Sequence, residues 1–278
     1  MRAIVARISR QTISVMVAFW MLSGGSDEGH AEEPFSLSEQ TTVKVWKIPQ
    51  LSTARQLVCS ITAAYDSSSA MVQLFERNSF HSAWRVVSGP IPAVTGRAGL
   101  GWGIGLHGDA PTGAPIKCEG DGRAPAGIFV FKEAFGSLSQ AALGHLKLPY
   151  RQMTQFHYGV DDPSSHFYNE IVDIREVTRD WTSAEKMLRD DGLYRLGIVV
   201  GQNVDDLPGR GSCIFLHIWR GPEKPTVGCT AFAYEWMLYL ECWLDPEKQP
   251  LLIQVPFNVY QSLCENYELP VVPYPSAG

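Results

Sequence analysis

From residue 56 onward the chain is cut into short apolar runs by Gly, Pro, Asn and Asp, and this punctuation constrains the fold more than any other feature. The pattern predicts strands over residues 57–65, 71–76, 83–87, 127–131, 196–201, 213–219 and 251–255. The polar run Asp66-Ser67-Ser68-Ser69 is a natural turn between the first two. Two segments carry helical signals. One is short and charged, over residues 183–190; the other spans 230–244 and is stopped by Asp245-Pro246. In the second, Phe232, Trp236, Tyr239, Leu240 and Trp243 fall on one helical face. The expectation is a mainly β domain with a few helices over residues 55–278, preceded by a polar leader over 32–54.

The first residues carry a different signal. Arg2, Arg7 and Arg10 precede an apolar stretch over 13–22, and small and polar residues follow. That order reads as an export signal over residues 1–31, ending at Gly29-His30-Ala31. The apolar stretch is short for a membrane span, which needs about 20 residues. No cysteine stands just after it to carry a lipid. The expected setting is therefore outside the cytoplasm, with no stable membrane anchor after cleavage. A formal charge of −6, with no Lys/Arg run, argues against a nucleic-acid partner. Six cysteines (Cys59, Cys118, Cys213, Cys229, Cys242 and Cys264) leave disulfides open, and sequence alone does not pair them.

The chemistry concentrates in one stretch. His217 stands near the end of a predicted strand, and eleven residues, two of them prolines and the last Gly228, lead on to Cys229. Such a connection is long enough to fold back and bring thiol to imidazole, the parts of a thiol acyl-transfer site. Cys229 is expected to open a helix, whose N-terminus would favour a thiolate. Gly228 allows an unusual turn, and its N–H and that of Cys229 are candidate donors for an oxyanion. Taken singly, His217 reads as a satisfied core histidine and Cys229 as an inert thiol. Cys213, within Cys-Ile-Phe-Leu, reads as a buried apolar residue.

His217-Ile-Trp-Arg-Gly-Pro, continued by Pro225-Thr-Val-Gly-Cys229, resembles the catalytic segment of the L,D-transpeptidase (YkuD-like) family. Upstream, Gly120-Asp-Gly-Arg-Ala-Pro-Ala-Gly127-Ile-Phe is similar to a second segment of that family. The resemblance covers about residues 96–256. It implies a β-sandwich-like catalytic domain acting on peptidoglycan stem peptides in a periplasmic or wall-associated setting, without metal or cofactor. It implies Cys229 as nucleophile, His217 as proton carrier, and a backbone carbonyl, that of Ile218, orienting the histidine. Thr226 falls in the signature before Gly228-Cys229 and is a candidate substrate contact. Val227 stands where many members have histidine, and Ala231 where many have arginine. Arg220 or Arg123 would then supply the missing cation. The alternatives are an L,D-carboxypeptidase or cross-link-cleaving hydrolase on the same fold, and a silent wall-binding module.

Two further patterns fail their context. Gly103-Ile-Gly105-Leu-His-Gly108 matches a dinucleotide fingerprint, but Asp109-Ala-Pro111 follows where a helix is required. His157, Asp161, Asp162 and His166 invite a zinc reading, but Pro163 and the serines after it match no standard ligand spacing.

Overall fold

The computed structural model describes residues 47–144 and 146–272. The signal read over residues 1–31 and most of the leader lie outside the described residues. The leader's last part does not behave as one. Pro49–Thr53 forms a short helix, α1, and Ile48, Leu51 and Ala54 bury themselves against the domain.

Thirteen strands follow from the period-2 pattern among the described residues. They are β1 (Gln56–Thr62), β2 (Ser69–Glu76), β3 (Arg85–Val94), β4 (Leu100–Trp102), β5 (Ala124–Gly136), β6 (Tyr150–Gln152), β7 (His157–Val160), β8 (Ile171–Asp173), β9 (Ala184–Lys186), β10 (Gly197–Val200), β11 (Phe215–Ile218), β12 (Thr230–Phe232) and β13 (Leu251–Pro256). The main sheet runs β10-β11-β12-β3-β2-β1-β13-β5, and β5 pairs again with β10. The sheet therefore closes on itself as a barrel, where two facing open layers were expected. β4 and β6 attach to β5 outside the ring. Closure is possible because β5 is 13 residues long. Its first part pairs with β13 and its last part with β10.

Strand alternation sorts the side chains into two cores. Val58, Val72, Leu74, Ile91, Phe129, Ile198, Leu216, Phe232 and Leu252 pack in one cluster, the barrel filling. Helix α3 (Tyr234–Trp243) adds Met237 and Leu240 to it. Their neighbours on the same strands, Leu57, Cys59, Ile61, Ile128, Leu251 and Ile253, face outward. They are covered by Val259, Tyr260 and Leu263 of α4 (Phe257–Asn266). Each such buried side chain contributes roughly 1.5–3 kcal/mol of transfer free energy. A second sheet, β8-β7-β9, stands apart from the ring.

Two helical expectations are corrected. Residues 183–190 hold strand β9 and turns, because pairing with β7 overrides their weak helical signal. The helix expected over 230–244 begins at Tyr234, since Thr230–Phe232 is taken by β12 between β11 and β3. All six cysteines are free thiols. Among the described residues no helix is long and apolar enough to cross a membrane.

Candidate active site

The parallel pairing of β11 and β12 puts His217 beside Ala231 and Leu216 beside Thr230. Cys229, two residues before Ala231, thus lies beside Phe215 on the face that His217 occupies. The opposite face sends Leu216 and Phe232 into the barrel. Cys229 and His217 are therefore diagonal neighbours on adjacent strands, outside the barrel. Both line one cavity of about 510 Å³. Its floor is β11 and β12; Asp161, after β7, and Glu185, on β9, stand in its wall.

His217 is only 6% exposed. Its Nδ1 lies 2.7 Å from the carbonyl oxygen of Ile218. A carbonyl only accepts, so Nδ1 carries the proton and Nε2 keeps a lone pair. Burial holds the imidazole down to about 4, so it is neutral at pH 7. The Tyr194 ring stands edge-on to it, with centroids 5.3 Å apart.

The surroundings of Cys229 overturn the thiolate expectation. Its sulfur accepts from the Phe215 N–H at 3.4 Å and donates to the Cys213 carbonyl at 3.7 Å. No helix begins there; the residue enters β12 instead. Burial, followed by the negative charge of Glu185, pushes the thiol up to about 12, and the Phe215 N–H pulls only weakly the other way. The resting pair is a neutral thiol with a neutral base.

The loop before Cys229 is tied internally. Thr226 Oγ1 donates to the Cys229 carbonyl at 2.6 Å and accepts from the Gly228 N–H at 3.1 Å. Thr226 also lines the cavity, but its hydroxyl is engaged in this turn. One of the two expected oxyanion donors, the Gly228 N–H, is occupied in the resting state. Gly228 keeps an ordinary negative φ. The space beside it is only slightly tight: a Cβ there would stand 3.3 Å from the Arg123 carbonyl oxygen.

The cations divide. Arg220 reaches the cavity and makes a loose 3.4 Å contact with Asp191. Arg123 is not among its lining residues. Its guanidinium donates to the carbonyls of Leu100 at 2.9 Å and Tyr65 at 3.3 Å, so it braces two chain crossings instead. Arg97 and Lys224 line the mouth and were not anticipated. Nor were Glu185, Arg189 and Tyr194. Glu185 accepts from Tyr194 at 2.8 Å and from Arg189 at 2.7 Å. Read as a strand, residues 184–186 would have turned Glu185 to one face, the signal that the helical reading hid.

The patterns set aside are absorbed locally. His107 is buried, with Nδ1 accepting from the Ile128 N–H at 2.9 Å and Nε2 3.1 Å from the Gly103 carbonyl. His157 Nδ1 sits 2.9 Å from Thr154 Oγ1, Asp162 accepts from Ser164 and Thr182, and His166 pairs with Asp180 at 2.8 Å.

No protein-family model matches the chain, and no match was found among the curated proteins or the solved structures.

Proposed function

We propose that this protein is a cysteine acyltransferase of the L,D-transpeptidase type, acting on peptidoglycan stem peptides outside the cytoplasm. One observation carries the reading: the Cys229 sulfur and the His217 imidazole share one face of two parallel strands and open into one cavity, with His217 Nδ1 on the Ile218 carbonyl. The two sequence segments that resemble the L,D-transpeptidases, and the export-like start of the chain, supply the substrate and the setting. The closed barrel would then be this chain's version of that family's catalytic domain.

In this scheme the Cys229 sulfur attacks the carbonyl of an L-to-D peptide bond as His217 Nε2 takes its proton. The Cys229 N–H, joined by that of Gly228 once it leaves Thr226, steadies the oxyanion. His217 returns the proton to the departing amine, leaving an acyl group on sulfur. An incoming amine gives its proton to His217 and takes the acyl group as the C–S bond breaks, and His217 returns that proton to the Cys229 sulfur; water in its place would make the protein a hydrolase. Because thiol and imidazole both start neutral, proton transfer accompanies attack instead of preceding it.

Incubation with disaccharide-tetrapeptides, followed by mass spectrometry of the products, tests the scheme. Cross-linked dimers are expected. Trimmed tripeptides alone would mark an L,D-carboxypeptidase. Neither product, or a Cys229→Ala variant as active as the parent, would overturn the reading.

A further inference from the structure

The small sheet faces Cys229 and His217 across the cavity, and it carries a half-buried carboxylate, Glu185, that the scheme above leaves without a task. Glu185 on β9 pairs with Gly159 on β7, so the two share a face. Gly159 leaves room there: a Cβ on it would stand 3.0 Å from the Cys213 sulfur and 3.3 Å from that of Met187. The Glu185 carboxylate is held at both oxygens, by Arg189 at 2.7 Å and by the Tyr194 hydroxyl at 2.8 Å. The Tyr194 ring packs in one cluster with Cys229, Phe215 and Met187, and its edge meets His217. A single hydrogen bond therefore links the carboxylate to the ring that seats the base. Carboxylate and sulfur face the same cavity, where charges are screened less than at the surface.

We infer that Glu185 is a positioning residue for the Cys229–His217 pair: its charge opposes negative charge on the sulfur, and its bond to Tyr194 seats the His217 ring. Several charged or titratable groups share this space. Arg189 and Asp161 lie on the same wall, and Lys117, Glu119, Arg97, Arg220, Lys224 and Cys213 line the rest of the cavity. Lys117 and Arg189 favour the thiolate; Glu185 acts against them. The small sheet thus tunes the nucleophile while the barrel holds it. The effect on turnover rests on the acyl-transfer reading; the effect on sulfur reactivity does not.

The test is peptide-resolved iodoacetamide alkylation of Cys229 in the full chain, followed by mass spectrometry between about pH 6 and 10. Glu185→Gln keeps the shape and an acceptor for Tyr194 but removes the charge. It should alkylate about tenfold faster near neutral pH, one unit's shift of the profile, with the melting temperature nearly unchanged. Arg189→Gln should alkylate more slowly than the parent, a change that mere loosening of the wall would reverse. Superimposed profiles for Glu185→Gln and the parent, or faster alkylation of Arg189→Gln, would overturn the inference. If Glu185→Gln does not fold, Arg189→Gln decides alone. A shifted alkylation profile in a protein that transfers no peptide would remove the proposed function and keep this inference.

Discussion

Side-chain chemistry at residue 229 depends on neighbours far away in the chain. A thiol pushed up to about 12 by burial should alkylate slowly at pH 7 and steadily faster as pH rises. Peptide-resolved alkylation of the parent should show Cys118, one of two exposed thiols with Cys242, modified well before Cys229. Gly127 is a second residue whose identity the surroundings dictate. Its φ is +144°, and a Cβ would stand 1.9 Å from His107 Cε1. Gly127→Ala should therefore destabilise the fold by about 3–5 kcal/mol in urea unfolding, through overpacking and backbone strain together. Sequence spacing made Cys229 and His217 candidates, and the resemblance to the L,D-transpeptidases singled out the pair and added the Ile218 carbonyl. It did not pick out Glu185, Tyr194 or Arg97, which reach the cavity from separate strands and loops. The partners of Arg123, a candidate cation, were hidden for the same reason: the carbonyls it braces, of Tyr65 and Leu100, are distant in sequence.

Elements were legible where a run was both apolar and cleanly bounded. β1, β2, β5, β10, β11 and β13 all fall on predicted strands, although β5 continues to Gly136, beyond the predicted 131. Partnership decided the rest: β9 and β12 are short runs whose hydrogen bonds are met by neighbouring strands. Helix α3 carries an anomaly of its own. Glu241 is fully buried, both carboxyl oxygens lack a partner in good geometry, and burial raises its carboxyl to about 8 against a weaker pull from the Gly197 N–H. A group raised in the folded state lends most stability below its unfolded value, near 4.5, and loses it as pH rises to 8. Glu241→Met should therefore outlast the parent in denaturant at pH 8. Its advantage should shrink by about 1.4 kcal/mol per pH unit on going down to 4.5. An advantage independent of pH would refute the assignment.

For the whole molecule, the buried histidines act on the acid side. His107 and His217 are each held down to about 4 by burial. The unfolded chain, titrating near 6.5, takes up their protons first, so stability falls as pH drops from 6.5 toward 4, by about 3 kcal/mol per histidine. Together with Glu241, these groups place the highest melting temperature between about pH 6 and 7, measurable by scanning calorimetry. Barrel closure, through the pairing of β10 with β5, has a tightly packed point of its own. Gly197 lies opposite Phe135, and a Cβ there would stand 2.3 Å from the ring. Gly197→Val should prise β10 from β5 and lower the melting temperature by more than 10 °C.

Local chemistry, written in the order of residues, settled the β class and the main strand periods and offered the thiol–imidazole pair as a candidate, because each depends on neighbours within a strand or one short connection. Barrel closure, the roofing sheet, the neutral resting thiol and the carboxylate facing it were decided by tertiary structure alone. They arise from pairings and burial between segments far apart in the chain, and water exclusion, the force that sets those charges, exists only once those segments have met.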